Sequence, residues 1–269
     1  MHRHGCPWGG ELCVSAAEHG QLAVVRWALR HGGAWTRRAA AAAAAGGQLG
    51  VLRWAHAHTG ARMGAPLGAG FPLPAAGPPA REGGSALSLQ RVCLDAARDG
   101  RLAVLQWARS LAPPCAWDER VCAAAALGGC LELLQWARAQ KPPCPWDGTT
   151  CECAAAVGDL ELARWAHARG CDWDARVCDA AAGGGHLELL QWARAQRPPC
   201  PWDEGTCTRA AQGGHLALLR WARAQRPPCP WNRRELQDAA QRLRALPGQG
   251  PPELAGLVWL CDATQAHGP

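Results

Sequence analysis

The fold of this chain is decided by one stretch: Trp117-Asp118-Glu119-Arg120-Val121-Cys122-Ala123-Ala124-Ala125-Ala126-Leu127-Gly128-Gly129-Cys130-Leu131-Glu132-Leu133-Leu134-Gln135-Trp136-Ala137-Arg138-Ala139-Gln140. Asp118 follows a tryptophan and can accept the free amides of a first helical turn. Cys122, Ala125 and Ala126 then share one side of a short helix at i, i+3 and i+4, and their small side chains let a neighbouring helix approach. Gly128-Gly129 ends that helix, since glycine tolerates the left-handed conformation of a C-cap. The second helix, Leu131 to Gln140, is apolar at Leu131, Leu133, Leu134, Trp136 and Ala137. Only Glu132, Gln135 and Arg138 make a polar stripe. A helix apolar nearly all round is expected to be covered on several sides. Lys141-Pro142-Pro143 stops it, because proline lacks the amide proton and clashes with the preceding turn. The stretch reads as an α-hairpin that cannot bury its faces alone.

The same hairpin recurs. Tryptophans stand 19 residues apart as Trp8/Trp27, Trp35/Trp54, Trp117/Trp136, Trp146/Trp165, Trp173/Trp192 and Trp202/Trp221, and a seventh unit keeps Trp107 with Ser88 in the first place. The return step is 8 or 10 residues, so the period is 27 or 29. Repeats of that length predict stacked supersecondary units rather than a globular enzyme domain. Alanine pairs run from Ala16-Ala17 through Ala210-Ala211. The turn glycine runs from Gly20 to Gly214 and the leucine after it from Leu22 to Leu216, in all seven units.

These columns resemble the ankyrin repeat. Ala210-Ala211-Gln212-Gly213-Gly214-His215-Leu216-Ala217-Leu218-Leu219 is similar to that family's A-A-x-x-G-H-L-E-V-V core, as is Ala181 to Leu190 with His186 and Glu188. Arg169-Gly170-Cys171-Asp172-Trp173-Asp174 is similar to its G-A-D-V-N segment. The resemblance covers roughly Gly5 to Ala240 outside one insertion. The T-P-L-H tetrapeptide is absent, and the residues that the family carries in its β-hairpin finger are missing. The resemblance therefore implies an all-α, helix-turn-helix repeat solenoid, ankyrin-like with reduced β-hairpin fingers. It also implies a protein-binding role.

Composition bounds the rest. Hydrophobic residues make up 48% of the 269, with 15 Trp, one Phe and no Tyr, which predicts a folded chain. The net charge of +6 is mild and no polybasic block occurs, so nucleic acid is disfavoured as a partner. No apolar leader follows Met1, and the longest apolar run, Ala39 to Ala45, is far shorter than a membrane span. Cytoplasmic or nuclear residence without membrane contact is the expectation, with the fifteen cysteines reduced.

Two places break the rhythm. Between Trp54 and Ser88 a Gly-, Pro- and Ala-rich stretch replaces the short return, and it reads as a disordered insertion. Trp231, Asn232 and Glu235 open an eighth unit that expands at Ala245 to Pro252 and ends in an expected helix, Pro252 to Ala263, as a C-terminal cap. The organisation is thus repeats 1–2 over 1–58, the insertion over 59–86, repeats 3–7 over 87–231 and the capping unit over 232–269. His4 to Trp8 resembles the tail of a preceding unit. A monomer, or part of a larger array, is expected.

Chemistry-bearing residues fall into structural columns. Cys6, Cys115, Cys144, Cys171, Cys200 and Cys229 lie two before a first Trp; Cys13, Cys93, Cys122, Cys151, Cys178 and Cys207 lie five after that position. Their spacing is not the tight C-x-x-C of a metal site, and they read as packing residues. His186 and His215 read as turn residues satisfying backbone groups. The paired tryptophans read as core, and Arg109, Arg138, Arg194 and Arg223 as a solvated face complementing helix C-termini. No catalytic, cofactor or metal residue is expected. The reading is a non-enzymatic protein–protein interaction scaffold. Its candidate partner-binding positions are on the first helices: Arg91, Arg120, Glu152, Arg176, Asp179, Arg209 and Gln212. The alternative is a nucleic-acid-binding helical repeat, since such hairpins can read one base per unit.

Overall fold

A computed structural model describes residues 10–31, 33–59 and 85–244 of the chain. Trp8, residues 60–84 of the insertion and the C-terminal Pro252–Ala263 segment lie outside them. Among the described residues all regular structure is helical. The chain divides into two compact units, Met1–Pro145 and Trp146–Pro269, and each is a helix-turn-helix repeat solenoid.

The first unit contains α1 (Gly10–Glu18), α2 (Leu22–Arg30), α3 (Arg37–Ala45), α4 (Leu49–Thr59), α5 (Ser85–Arg98), α6 (Leu102–Ser110), α7 (Glu119–Leu127) and α8 (Leu131–Ala139). The second contains α9 (Gly148–Val157), α10 (Leu160–Ala168), α11 (Ala175–Gly183), α12 (Leu187–Arg194), α13 (Glu204–Gln212), α14 (Leu216–Ala224) and α15 (Arg233–Arg244). Odd-numbered helices are the first members of hairpins and even-numbered ones the second.

First helices begin where a short polar side chain caps them. Asp118 accepts from the Arg120 amide at 3.1 Å, Asp147 from Thr149 at 3.0 Å, Asp174 from Arg176 at 3.0 Å and Asp203 from Gly205 at 2.8 Å. Thr36 and Asn232 do the same for α3 and α15. Each cap satisfies an amide that the helix itself leaves open.

Packing is led by the first helices. In the first unit α1 lies on α3, α3 on α5 and α5 on α7; in the second α9 lies on α11, α11 on α13 and α13 on α15. The alanine pairs sit at these contacts, and Ala125, Ala126, Ala181, Ala182, Ala210 and Ala211 are fully buried. Each second helix rests on its own first helix, in α8, α12 and α14 through a Leu-Leu-x-x-Ala wedge such as Leu133, Leu134 and Ala137. The second helices are not covered all round. Leu131 and Trp136, like Leu187 and Trp192, remain half-buried, because the wedge and its alanine fill the contact and leave the remaining apolar surface at the edge.

The residue that opens the second helix reaches back to the preceding hairpin. His186 Nε2 lies 3.1 Å from the Ala156 carbonyl and His215 Nε2 3.1 Å from that of Gly183. In the first unit Gln48 donates to Glu18 O at 2.9 Å and Arg101 to Ala45 O at 2.7 Å. These carbonyls end first helices and need donors. The glycine of the turn is required twice over at Gly185: its φ is +75°, and a Cβ there would stand 2.5 Å from the His215 ring.

Candidate nucleic-acid interface

Four of the linkers between hairpins are built on an arginine. Arg109, Arg138 and Arg223 each donate from Nη1 to the carbonyl of the cysteine six residues on, at 2.6, 2.6 and 2.7 Å, and Arg194 does the same to Cys200. The guanidinium of Arg109 also lies 4.3 Å from the centroid of Trp117, that of Arg194 4.0 Å from Trp202 and that of Arg223 4.2 Å from Trp231. The arginines are therefore half-buried structural groups. Their reading as a solvated face is corrected: eight residues of chain fold the following tryptophan back over the guanidinium, where its π-face attracts the cation.

The 19-residue spacing of the tryptophans is an edge-to-face contact. Trp117 meets Trp136 at 5.9 Å, Trp146 meets Trp165 at 5.7 Å, Trp173 meets Trp192 at 5.4 Å and Trp202 meets Trp221 at 6.0 Å, all with steeply inclined rings. This is the arrangement the ring quadrupoles favour. The reading of these rings as core is too strong. Trp35 and Trp107 are buried, at 1% and 7% exposure, but Trp27 is 41% exposed. The rings of the four edge-to-face pairs are all half-buried.

The seven candidate positions do not form one cluster. Arg91 is exposed on α5 and pairs with Asp95 at 3.0 Å. Arg120 is exposed on α7 and closes on its own helix cap, Asp118, at 2.6 Å. In the second unit Arg176 meets Asp174 at 3.0 Å and Glu152 at 3.6 Å, which brings two of the candidates together. Asp179 is half-buried and accepts from the Thr206 hydroxyl at 2.7 Å; burial raises its carboxyl above the usual range, partly offset by that hydrogen bond. Arg209 and Gln212 are exposed on α13.

A regularity within this set was legible but not picked out. Arg91, Arg120 and Arg176 occupy the third position after the first-Trp column, as do Arg38 and Arg234, with Glu11, Thr149 and Gly205 on the remaining three of the eight described first helices. All five arginines are exposed. Arg38, Arg120, Arg176 and Arg234 sit in the first turn of their helices. Helix stability favours an acid there, because the N-terminus already carries partial positive charge. Counting this column, rather than asking for a polybasic block, is the signal that finds it.

No protein-family model matches the chain, and no curated protein matches it. Among solved structures it is similar to the pentatricopeptide repeat protein PPR10 in complex with an 18-nt psaJ RNA element, at 16% identity and a TM-score of 0.44 over 97% of this chain. A cysteine-to-serine form of that protein on the same RNA gives the same values. PPR10 from maize gives 16% identity and a TM-score of 0.40 over 96% of this chain. The chain spans 38–39% of the length of these structures.

Three expectations are corrected accordingly. The ankyrin assignment is not upheld, since the similar solved structures are pentatricopeptide repeat proteins. The columns that suggested it answer local needs, a glycine C-cap and an alanine contact, that many helical hairpins share. The protein-interaction scaffold reading falls with it, because that role came from the ankyrin resemblance. The disfavouring of nucleic acid is also overturned. Two of the similar structures hold RNA, and the arginines of this column are dispersed over five hairpins, where a search for a charge block does not see them. Of the membrane, the described residues show this much: no helix among them is long and apolar enough to cross one.

Proposed function

We propose that the chain is a non-enzymatic, single-stranded nucleic-acid-binding helical-repeat protein. The observation that carries this reading is the arginine that recurs at the third position after the first-Trp column on five of the eight described first helices. It is exposed in both units, and in four hairpins it lies in the first helical turn. An exposed guanidinium at a helix N-terminus is a favourable setting for a phosphodiester oxygen, and the carboxylates that now neutralise Arg120 and Arg176 are exchangeable surface partners. An arginine that recurs at one register position matches the logic of repeats that advance one step of chain per unit. In this reading Arg91, Arg120 and Arg176 contact the phosphate backbone, and Glu152, Asp179, Arg209 and Gln212 flank them on the first helices. The segments 1–58, 87–231 and 232–269 act as repeat-bearing parts and 59–86 as their insertion.

The test is fluorescence anisotropy of a labelled single-stranded RNA of mixed sequence, titrated with the full chain over a series of salt concentrations, with DNA of the same sequence as a second arm. Binding that weakens log-linearly with salt is expected. Each Arg→Gln change at Arg91, Arg120 or Arg176 should lower the slope by about 0.7. No binding at low salt to either polymer, or a slope indifferent to all three substitutions, would overturn the proposal.

A further inference from the structure

The two cysteine columns face each other. The cysteine five residues after one first-Trp position meets the cysteine two before the next: Cys93 with Cys115, Cys122 with Cys144, Cys151 with Cys171, Cys178 with Cys200 and Cys207 with Cys229. All ten are free thiols, and none is more than 5% exposed. Sγ of Cys93 stands 3.0 Å from Sγ of Cys115. In the pairs Cys151–Cys171, Cys178–Cys200 and Cys207–Cys229 the neighbouring thiol is the leading influence on the ionisation of Cys151, Cys178 and Cys229. Sγ of Cys122, Cys151 and Cys178 each lies 3.9 Å from the carbonyl oxygen of its partner, so the geometry repeats.

Packing explains why these places are small and apolar, because a buried free cysteine behaves as a small hydrophobe. It does not explain why both sides of the contact are cysteine five times over. The first hairpin shows what packing alone accepts: Gly33 stands opposite Cys13, and a Cβ there would come within 3.2 Å of the Cys13 sulfur.

We propose that the five pairs are sites of disulfide formation, each bond stapling one hairpin to the next, with a peroxide as the oxidant. The cysteines of a pair lie 20 or 22 residues apart in the chain. From the 3.0 Å contact of Cys93 and Cys115, a disulfide requires the sulfurs to close by about 1 Å. One thiolate attacks the peroxide oxygen, giving a sulfenic acid and releasing an alcohol or water that takes up the thiol proton. The second sulfur then attacks the sulfenyl sulfur and expels water. Two electrons pass from the two thiols to the O–O bond. In the first pair the hydrogen bond from Cys93 lowers the Cys115 thiol below its ordinary value, and the nearby Arg109 cation acts in the same direction. Cys115 is thus the attacking sulfur. Burial makes oxidation wait on local opening, so the half-exposed Cys130 and Cys153 react first.

The test treats the purified full chain with hydrogen peroxide, alkylates the remaining thiols under denaturing conditions and maps linked peptides by mass spectrometry. The expected result is loss of the ten paired thiols in twos, with links in the register 93–115, 122–144, 151–171, 178–200 and 207–229. A dithiol reductant should restore them, and the thermal midpoint of the oxidised chain should rise by several degrees. Cys115→Ala should delete the 93–115 link alone; if that variant does not fold, the wild-type map decides. Paired cysteines that stay alkylatable after Cys130 and Cys153 are fully oxidised would overturn the proposal. So would their conversion to sulfinic acids, or links outside this register.

Discussion

Arg194→Ala tests whether the linker arginine is structural. The guanidinium donates to the Cys200 carbonyl and lies 4.0 Å over the Trp202 ring. A hydrogen bond from a charged donor is worth about 1.5–3 kcal/mol, and a cation–π contact about 0.5–1 kcal/mol at an accessible ring. Arg194 is half-buried, so the lower part of each range applies and the loss is about 2 kcal/mol. In a repeat array that loss falls on the neighbourhood of the deleted contact. Hydrogen exchange should therefore deprotect the amides of Cys200 and of the start of α13 while leaving α15 close to wild type. Arg194→Lys keeps the charge but not the planar fork, and should recover only part of the protection. The exposed neighbour Arg197 is the control, with Arg197→Ala expected within about 0.5 kcal/mol of wild type. If Arg194→Ala behaves like Arg197→Ala in both exchange and urea unfolding, the arginine is a solvated side chain and the correction made above fails.

Other substitutions probe the remaining layers. Leu190→Ala removes a fully buried wedge residue and should cost about 2–5 kcal/mol by urea unfolding, whereas Trp165→Ala, half-buried at the edge of Trp146, should cost less than a fully buried tryptophan. Gly158→Ala must place a Cβ at φ +75° and 2.3 Å from the His186 ring; a loss well above 1 kcal/mol is expected, and a neutral result would refute the turn geometry. Asp179 is held above the ordinary carboxylate range, chiefly by burial, so its contribution to stability is full below its unfolded value and falls as pH rises through the folded one. Asp179→Asn should therefore flatten that decline in a pH series of thermal midpoints, and an unchanged decline would exclude Asp179 as its source.

The hairpins were legible because their determinants are local. Asp118, Ala125, Gly129 and Pro142 each act within a turn or two of themselves, so caps, contacts and stops could be placed from the sequence. What could not be read was the far end of contacts that leave the hairpin. Nothing local says that Cys93 meets Cys115, that Arg109 folds under Trp117, or that Trp117 touches Trp136 by its edge. The family was misjudged for the converse reason: the alanine pair and the turn glycine recur wherever two short helices turn tightly and a third packs close. The candidate arginines were seen one at a time, and their common register shows only when Arg38 and Arg234 are aligned with them.

The back-reaching side chains at Gln48, Arg101, His186 and His215 have a consequence for how the protein comes into being. Each supplies a donor to a carbonyl of the hairpin before it. A hairpin emerging from the ribosome is thus incomplete at its first-helix end until 30 further residues for Gln48 and His186, 32 for His215 and 56 for Arg101 have followed it out. Growth at these four junctions is vectorial, each hairpin being finished by its successor. A nascent chain arrested just before His215 should leave Gly183 frayed while the hairpins behind it are already closed.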